Sequence, residues 1–345
     1  MILLSRGNEN MKNKLIATAA LAIAVGIACA CCDKEVDVSK YAGWMQEFVF
    51  DIANYARETN ENFIIIPQNG VELVYNETDK DLRFRELYMD AIDGIGMEEL
   101  FYDGGEILTG KKDTKEKLNI LNDIKGDEKY RGKKILVSDY VGSDDYISSA
   151  IELNTSKGFI AYPRRNDNYD YKDISKVVTD KTTFNDDSVT VLSEAKNYLY
   201  LISPENFNNK EALVDAIADT YYDLILIDLF FVKENRATEV INREDMDKLN
   251  KKPNGARRLV ICYVNIGSAE TFRYYWKAGW EKGNPSWIKK EYEGYEDEYW
   301  VKFWDDEWKD IIYRDENSYM KQVLNAGFDG AYLDNVEAYY FLFNK

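Results

Sequence analysis

The sequence predicts an α/β chain folded as one (β/α)8 barrel, and three observations lead there. Short apolar runs recur along the chain, and each is followed by a polar, helix-compatible stretch. Several runs are apolar without alternation, as in Phe63-Ile-Ile-Ile66 and Leu224-Ile-Leu-Ile227; that suits parallel strands covered on both faces. Finally, eight runs alternate with helices, and polar residues gather at the same end of successive runs. A doubly wound open sheet is the alternative, but no Gly-x-Gly-x-x-Gly turn supports it.

The elements follow in order. Tyr41–Arg57 reads as a helix, because Met45, Phe48, Val49, Ile52, Ala53 and Ala56 make one apolar face at helical spacing. The first four strands are expected at Asn62–Pro67, Ala91–Met97, Lys134–Tyr140 and Gly158–Tyr162. The next four are Tyr198–Ile202, Leu224–Leu229, Leu259–Ile266 and Gly330–Leu333. Lys111–Glu128 is charged, with Leu118 and Leu121 spaced for one side of a solvated outer helix. Residues 166–197 are polar and read as a surface excursion plus a helix, not a second domain. Trp276–Trp308 is aromatic and acidic, and reads equally as a sugar platform over a cleft or as an outer layer. Gly327 is expected to close a helix over Asn317–Ala326.

Composition removes whole classes of chemistry. A formal charge of −18 argues against nucleic-acid partners, which require basic surface. There is no histidine, so triads and zinc sites built on imidazole are excluded. Acid–base work then falls to carboxylates, Tyr or Lys. The 26 tyrosines and 7 tryptophans could line a sugar cleft or fill a core. Met11-Lys-Asn-Lys followed by the apolar run Leu15–Ala28 is too short to span a bilayer and reads as a signal peptide over residues 1–32. Cysteines after that run resemble a bacterial lipoprotein signal. Cys31 is the first choice for lipidation, with Cys29 and Cys32 as alternatives. The expected location is therefore outside the cytoplasm on a lipid anchor, with residues 33–345 as a monomeric barrel. Only Cys262 lies in that body, so no internal disulfide is available.

The chemistry is expected at the strand ends. Gln68 and Asn69 follow the first strand, Glu98 and Glu99 the second. Asp139 ends the third, and Tyr162 and Arg164 mark the fourth. Asp228 ends the sixth; Asn265, Glu270 and Arg273 follow the seventh. Asp334 and Asn335 end the eighth, with Glu337 just beyond. In a barrel these ends share the face that carries active sites. A helix cap would explain one of Asp334 and Asn335, whereas this loop offers three such polar groups.

Gly327-Phe-Asp-Gly-Ala-Tyr-Leu-Asp-Asn-Val-Glu-Ala-Tyr339 resembles the signature of glycoside hydrolase family 114, the endo-α-1,4-polygalactosaminidase family of TIM barrels. Cys262-Tyr-Val-Asn-Ile-Gly-Ser-Ala-Glu-Thr-Phe-Arg273 resembles the segment one strand earlier. Ile64-Ile-Ile-Pro-Gln-Asn-Gly70 and Asp93-Gly-Ile-Gly-Met-Glu-Glu-Leu-Phe-Tyr102 resemble the family's later segments. Here those later segments come first, so the resemblance implies a circular permutant, with 166–197 joining the family's old ends. It also implies Asp334 as nucleophile and Glu98 as acid/base, with Glu99 the competitor. Tyr263, Asn265, Glu270 and Arg273 are implied to bind substrate. Many relatives have Gly-Glu-Ala-Glu where this chain has Gly267-Ser-Ala-Glu270, so Ser268 lacks a carboxylate. The expected function is a retaining glycosidase on a polysaccharide or amino-sugar polymer, needing no cofactor and no metal. A non-catalytic carbohydrate-binding lipoprotein is the rival reading.

Overall fold

The structure, a computed structural model, describes residues 38–165, 171–174, 184–232 and 238–343. The segment expected to be a signal peptide, with Cys29, Cys31 and Cys32, lies outside the described residues. All eight expected strands form: β1 (Ile64–Pro67), β2 (Gly94–Glu98), β3 (Lys134–Ser138), β4 (Ile160–Ala161), β5 (Tyr198–Leu201), β6 (Leu224–Asp228), β7 (Leu259–Asn265) and β8 (Gly330–Asp334). The helices are α1 (Val38–Thr59), α2 (Glu86–Ala91), α3 (Lys112–Gly126), α4 (Ile147–Thr155), α5 (Lys210–Ala218), α6 (Arg243–Leu249), α7 (Asp306–Lys309), α8 (Tyr319–Ala326) and α9 (Ala338–Phe341).

Five strands make one parallel sheet in the order β1-β8-β7-β6-β5, and three make another in the order β2-β3-β4. The last strand lies beside the first, as expected: Ile64 pairs with Gly330 and Pro67 with Leu333. A parallel bridge between Gln68 and Gly96 joins the two sheets. It is continued by hydrogen bonds from Asn69 N to Gly96 O (2.8 Å) and from Asp93 N to Ile65 O (2.8 Å). At the far margins, the Tyr162 ring beyond β4 lies 5.4 Å from Tyr198 and 6.5 Å from Tyr200 on β5.

Strand alternation sorts the side chains. Tyr332 and Asp334 share one face of β8, and Gly96 and Glu98 share one face of β2. On the first face the centre is filled by rings: Tyr171 stacks on Tyr200 at 3.7 Å, and Tyr200 meets Tyr332 edge-on at 5.6 Å. Gly96 is required by this packing, because a Cβ there would lie 1.8 Å from the Tyr332 hydroxyl. Gly330 is required by the sheet, because its Cβ would lie 2.4 Å from the Ile64 carbonyl oxygen.

The helices bury apolar stripes on the outside. The expected face of α1 is buried in full, and its Gln46 donates to Leu73 O (2.6 Å) and Tyr75 O (2.9 Å), fixing the loop after β1. α8 is capped by Ser318, which accepts from Lys321 N, and ends at Gly327 with φ 93°. α3 buries only Thr114, Leu121 and Ile124, as a solvated outer helix would.

Two regions differ from the sequence reading. The segment 268–301 is a three-stranded antiparallel sheet, with Glu298–Val301 between Ser268–Glu270 and Ile288–Glu291. Trp287, Trp300 and Trp308 are buried, as an outer layer requires, while Tyr295 is 41% exposed. The excursion 166–197 is not all surface either. Among its described residues Tyr171, Asn185, Val189 and Leu192 are buried. Asn185 is held by Asp223 (2.9 Å) and by Lys252, which donates to its carbonyl (2.9 Å).

Candidate active site

The two ends of the strands treat acids differently. At the N-terminal ends each acid has a cation. Asp93 pairs with Arg57 (2.9 Å) and Asp329 with Arg257 (2.5 Å); Asp223 pairs with Lys252 (2.6 Å), both fully buried. Asp93 and Asp329 also accept backbone N–H groups of the neighbouring strand, from Ile65 (2.8 Å) and Val260 (2.8 Å). They tie strands together. At the C-terminal ends, Glu98, Asp334, Glu298 and Glu337 have no ion pair among the described residues. A buried carboxylate without a cation is costly, so this face is where function is to be sought.

Asp334 sits at the end of β8. It accepts from the Tyr263 hydroxyl (2.5 Å) and from Asn335 N (2.7 Å). Burial, then the charge of Glu98, pushes its carboxyl up to about 7. Glu98 ends β2, on the other side of β1. Its backbone N–H donates to Asn69 Oδ1 (3.1 Å), and its carboxylate accepts from Asn69 Nδ2 (3.2 Å) and the Tyr171 hydroxyl (2.5 Å). Tyr171 is in turn bonded to Ser138 (3.0 Å). Two acids separated by one strand thus face each other, each fixed by neutral donors. Glu99 pairs with Arg164, whereas Glu98 has no ion pair among the described residues.

The backbone is strained at this rim. Asn69, Glu99 and Asn335 all have left-handed φ, at 58°, 49° and 59°. Each follows the end of one of three adjacent strands. Non-glycine residues held there cost energy, and such strain concentrates at functional sites.

The other expected residues divide into groups. Gln68 lies beneath, accepting from the Tyr200 hydroxyl (3.0 Å). Asn265 donates to Ser268 (2.6 Å) and Glu298 (2.9 Å), and Asn335 does the same at 3.0 and 3.3 Å. Arg273 spends its guanidinium on Asp228 (2.9 and 2.6 Å), Glu270 (2.7 Å) and Tyr319 (3.1 Å), so these three charged residues form a buried wall. Tyr162 donates to Asp173 O (3.2 Å) and packs in the tyrosine centre. Glu337 accepts no side-chain hydrogen bond among the described residues; burial, then Glu72, pushes it up to about 8.

Two expected residues are held by partners other than the facing acids. Asp139 follows Ser138, which pairs with Glu98, so alternation turns Asp139 to the opposite face. There it accepts from Phe101 N (2.8 Å), Tyr102 N (3.2 Å) and Asn154 (2.8 Å), and holds the loop after β2. Arg164 is spent on Glu99 and stacks near Tyr140 and Tyr171 at 5.3 and 5.4 Å. A hollow of about 530 Å³ lined by Gln46, Asn76, Arg83 and Arg85 contains none of the facing acids.

Sequence reasoning missed Glu298, Tyr171 and Tyr295. Ser268 supplies no carboxylate, but Glu298 on the paired strand bonds to it and stands beside it. Burial, then Glu270, pushes Glu298 up to about 8. Burial, then the charges of Glu98, Glu298 and Asp334, raises the Tyr295 hydroxyl, and its ring packs edge-on against Tyr292 at 5.2 Å. The aromatic and β-branched run Tyr299-Trp-Val301 was an available signal for that strand.

The sequence profile of glycoside-hydrolase family GH114 matches residues 209–345, the part carrying β6, β7 and β8. An uncharacterized protein of Methanocaldococcus jannaschii is 34% identical over 155 residues, 45% of this chain and 41% of that protein. Uncharacterized proteins of Thermotoga maritima and Deinococcus radiodurans are 40% and 35% identical over 79 and 82 residues. These matches cover about a quarter of each of the latter two proteins, and well under half of the first. Over residues 209–345 the chain is thus similar to glycoside-hydrolase family GH114.

Proposed function

We infer that the protein is a glycoside hydrolase whose working acids are Asp334 and Glu98. The observation that carries this is the pair itself: two carboxylates on strands flanking β1, held by neutral donors and coupled by charge. Glycoside hydrolysis requires such a pair across the scissile bond. In the reading that follows the family resemblance, Asp334 attacks the anomeric carbon while Glu98 protonates the leaving oxygen and then activates water. Burial, then the charge of Glu98, raises the Asp334 carboxyl to about 7, which favours the reverse assignment with Asp334 as the acid.

The substrate we propose is an amino-sugar polymer. Glu98, Glu298, Asp334 and Glu337 make the mouth acidic, and Arg164 and Arg273 are spent on Glu99, Asp228 and Glu270. The barrel we propose closes through the tyrosine contacts between the margins at β4 and β5. The pairing of β8 with β1 supports a permuted order of the family's segments. Anchoring through Cys31 completes the reading and rests on the sequence alone.

The test is turnover of a polysaccharide panel that includes α-1,4-linked galactosamine oligomers. Asp334→Asn should lose nearly all turnover on every substrate. Glu98→Gln should lose about 10²–10⁴ in rate on natural linkages, but far less on an aryl glycoside whose leaving group needs no proton. The opposite pattern on the aryl glycoside would assign the roles in reverse. Full activity in either variant, on a substrate the wild type cleaves, refutes the pair.

A further inference from the structure

The direction of α1 fixes which end of the molecule its beginning occupies. In its first half, Gln46 donates to Leu73 O (2.6 Å) and Tyr75 O (2.9 Å), in the loop that follows β1. The Tyr41 ring lies 4.2 Å from Phe343, which follows β8. In its last turn Arg57 bonds Asp93 (2.9 Å), ahead of β2, and Phe63 O (3.3 Å), ahead of β1. α1 therefore starts at the C-terminal ends of the strands, the end that carries Glu98 and Asp334, and runs to the other end. The exposed apolar side chains follow the same division. Six of the eight large ones among the described residues stand on loops that leave the C-terminal ends of strands: Leu82 after β1, Ile107 after β2, Tyr146 after β3, Val240 after β6, and Tyr274 and Tyr295 after β7. The other two lie at the opposite end. Phe184 packs on Tyr221, just ahead of β6 (5.1 Å), and Val191 follows Val189, whose N–H donates to Arg257 O ahead of β7 (2.8 Å). Beside the start of α1, Trp44 and Trp304 join Tyr41 and Phe343 in a half-buried ring cluster, with Lys40 Nζ 4.7 Å from the centre of the Trp44 ring. Half-buried Trp and Tyr are enriched where proteins meet the membrane–water interface.

We propose that this end of the protein is its membrane-facing surface, the apolar rim on the strand-end loops seating on the phospholipid bilayer to which Cys31 ties the chain. The proposal rests on the anchor reading and goes beyond it to the orientation. Length decides between the two ends. Cys31 lies seven residues before Val38, and that many residues reach at most about 25 Å. α1 is 22 residues long and extends about 33 Å. A tether shorter than the helix cannot pass along it to set the opposite end on the bilayer. Charge does not drive the seating, because the chain carries a formal charge of −18. Burial of the apolar rim in the headgroup region does. Glu98 and Asp334, at the same end, then open toward the membrane.

The experiment places the lipidated full chain on phosphatidylcholine vesicles and measures energy transfer from one fluorophore to a headgroup-labelled lipid. The fluorophore is attached at Lys112→Cys, where α3 starts after β2, or at Glu61→Cys, between α1 and β1; both positions are exposed. Cys29 and Cys32 are changed to Ser, and Cys262 is fully buried. The two sites differ in height by roughly the length of α1, so transfer at Lys112→Cys should exceed that at Glu61→Cys about threefold or more. Leu82→Asp with Val240→Asp alters two exposed side chains. The pair should leave the melting temperature and the lipid in place, and lower transfer at Lys112→Cys about twofold or more. Equal transfer at the two sites, or more at Glu61→Cys, overturns the proposal. So does transfer that the Asp pair leaves unchanged, which would mark a rim that does not touch lipid. A chain that takes up no labelled fatty acid overturns the anchor at Cys31 and the proposal with it, whereas a lipidated chain with the opposite orientation overturns the proposal alone.

Discussion

Replacing Asp334 by Asn should make the protein more stable while removing its activity. Asp334 is lifted to about 7 in the folded chain from an ordinary 3.8, chiefly by burial and then by Glu98. A carboxyl whose folded value is raised binds its proton more tightly folded than unfolded. Between about pH 4 and 7 the unfolded chain therefore carries fewer protons than the folded one, and stability falls as pH rises through that window. The penalty is absent below pH 4, grows to pH 7 and is constant above. The gap between 3.8 and about 7 corresponds to roughly 4 kcal/mol at the plateau. Asp334 keeps some contact with solvent and Asn must still satisfy the Tyr263 hydroxyl, so about half of that, ~2 kcal/mol, is expected. Urea unfolding of both proteins at pH 4.5 and pH 8, matched in ionic strength, measures it. The gain should be about 0.5 kcal/mol at the lower pH and about 2 kcal/mol at the higher. A variant less stable than wild type at pH 8, or a gain independent of pH, refutes the reasoning that Asp334 is an unpaired buried acid.

Two more outcomes follow from the same geometry. Glu98→Gln removes the second cause of the Asp334 shift, so the acidic limb of kcat/KM on an activated aryl glycoside should move down by about one pH unit; an unmoved limb would show that the acids do not sense each other. Labelled fatty acid should enter the wild-type chain in a lipoprotein-processing bacterium and be lost when Cys29, Cys31 and Cys32 are all changed to Ser; label that survives the triple change removes the anchor.

The strands were legible because continuous apolar runs such as Ile64-Ile-Ile66 have no other comfortable place than a sheet covered on both faces. The acid pair was legible because a carboxylate ending such a run is hard to explain otherwise. Which of two adjacent strand-end residues faces inward was not. Glu98 and Glu99, or Ser138 and Asp139, differ by one step of alternation, and only the register of β2 against β3 decides that step. Asp139 and Arg164 were therefore read as site residues, although one holds a loop and the other pairs with Glu99. Glu298 and Tyr171 were illegible for a different reason. They reach the acids from an antiparallel insertion and from the excursion after β4, and only tertiary packing brings them there.

The place of β8 between β1 and β7 also governs how the molecule comes together. Both neighbours precede it in the chain, one near the start of the described residues and one near the end. Until β8 docks, β1 and β7 each present an open, strongly apolar edge to any strand that passes. Asp334 arrives on the strand that covers both edges, so the sheet's completion and the site's completion are one event. No shorter folded precursor can carry the acid pair, and cleavage ahead of Gly330 would disarm the site and reopen the sheet at a stroke.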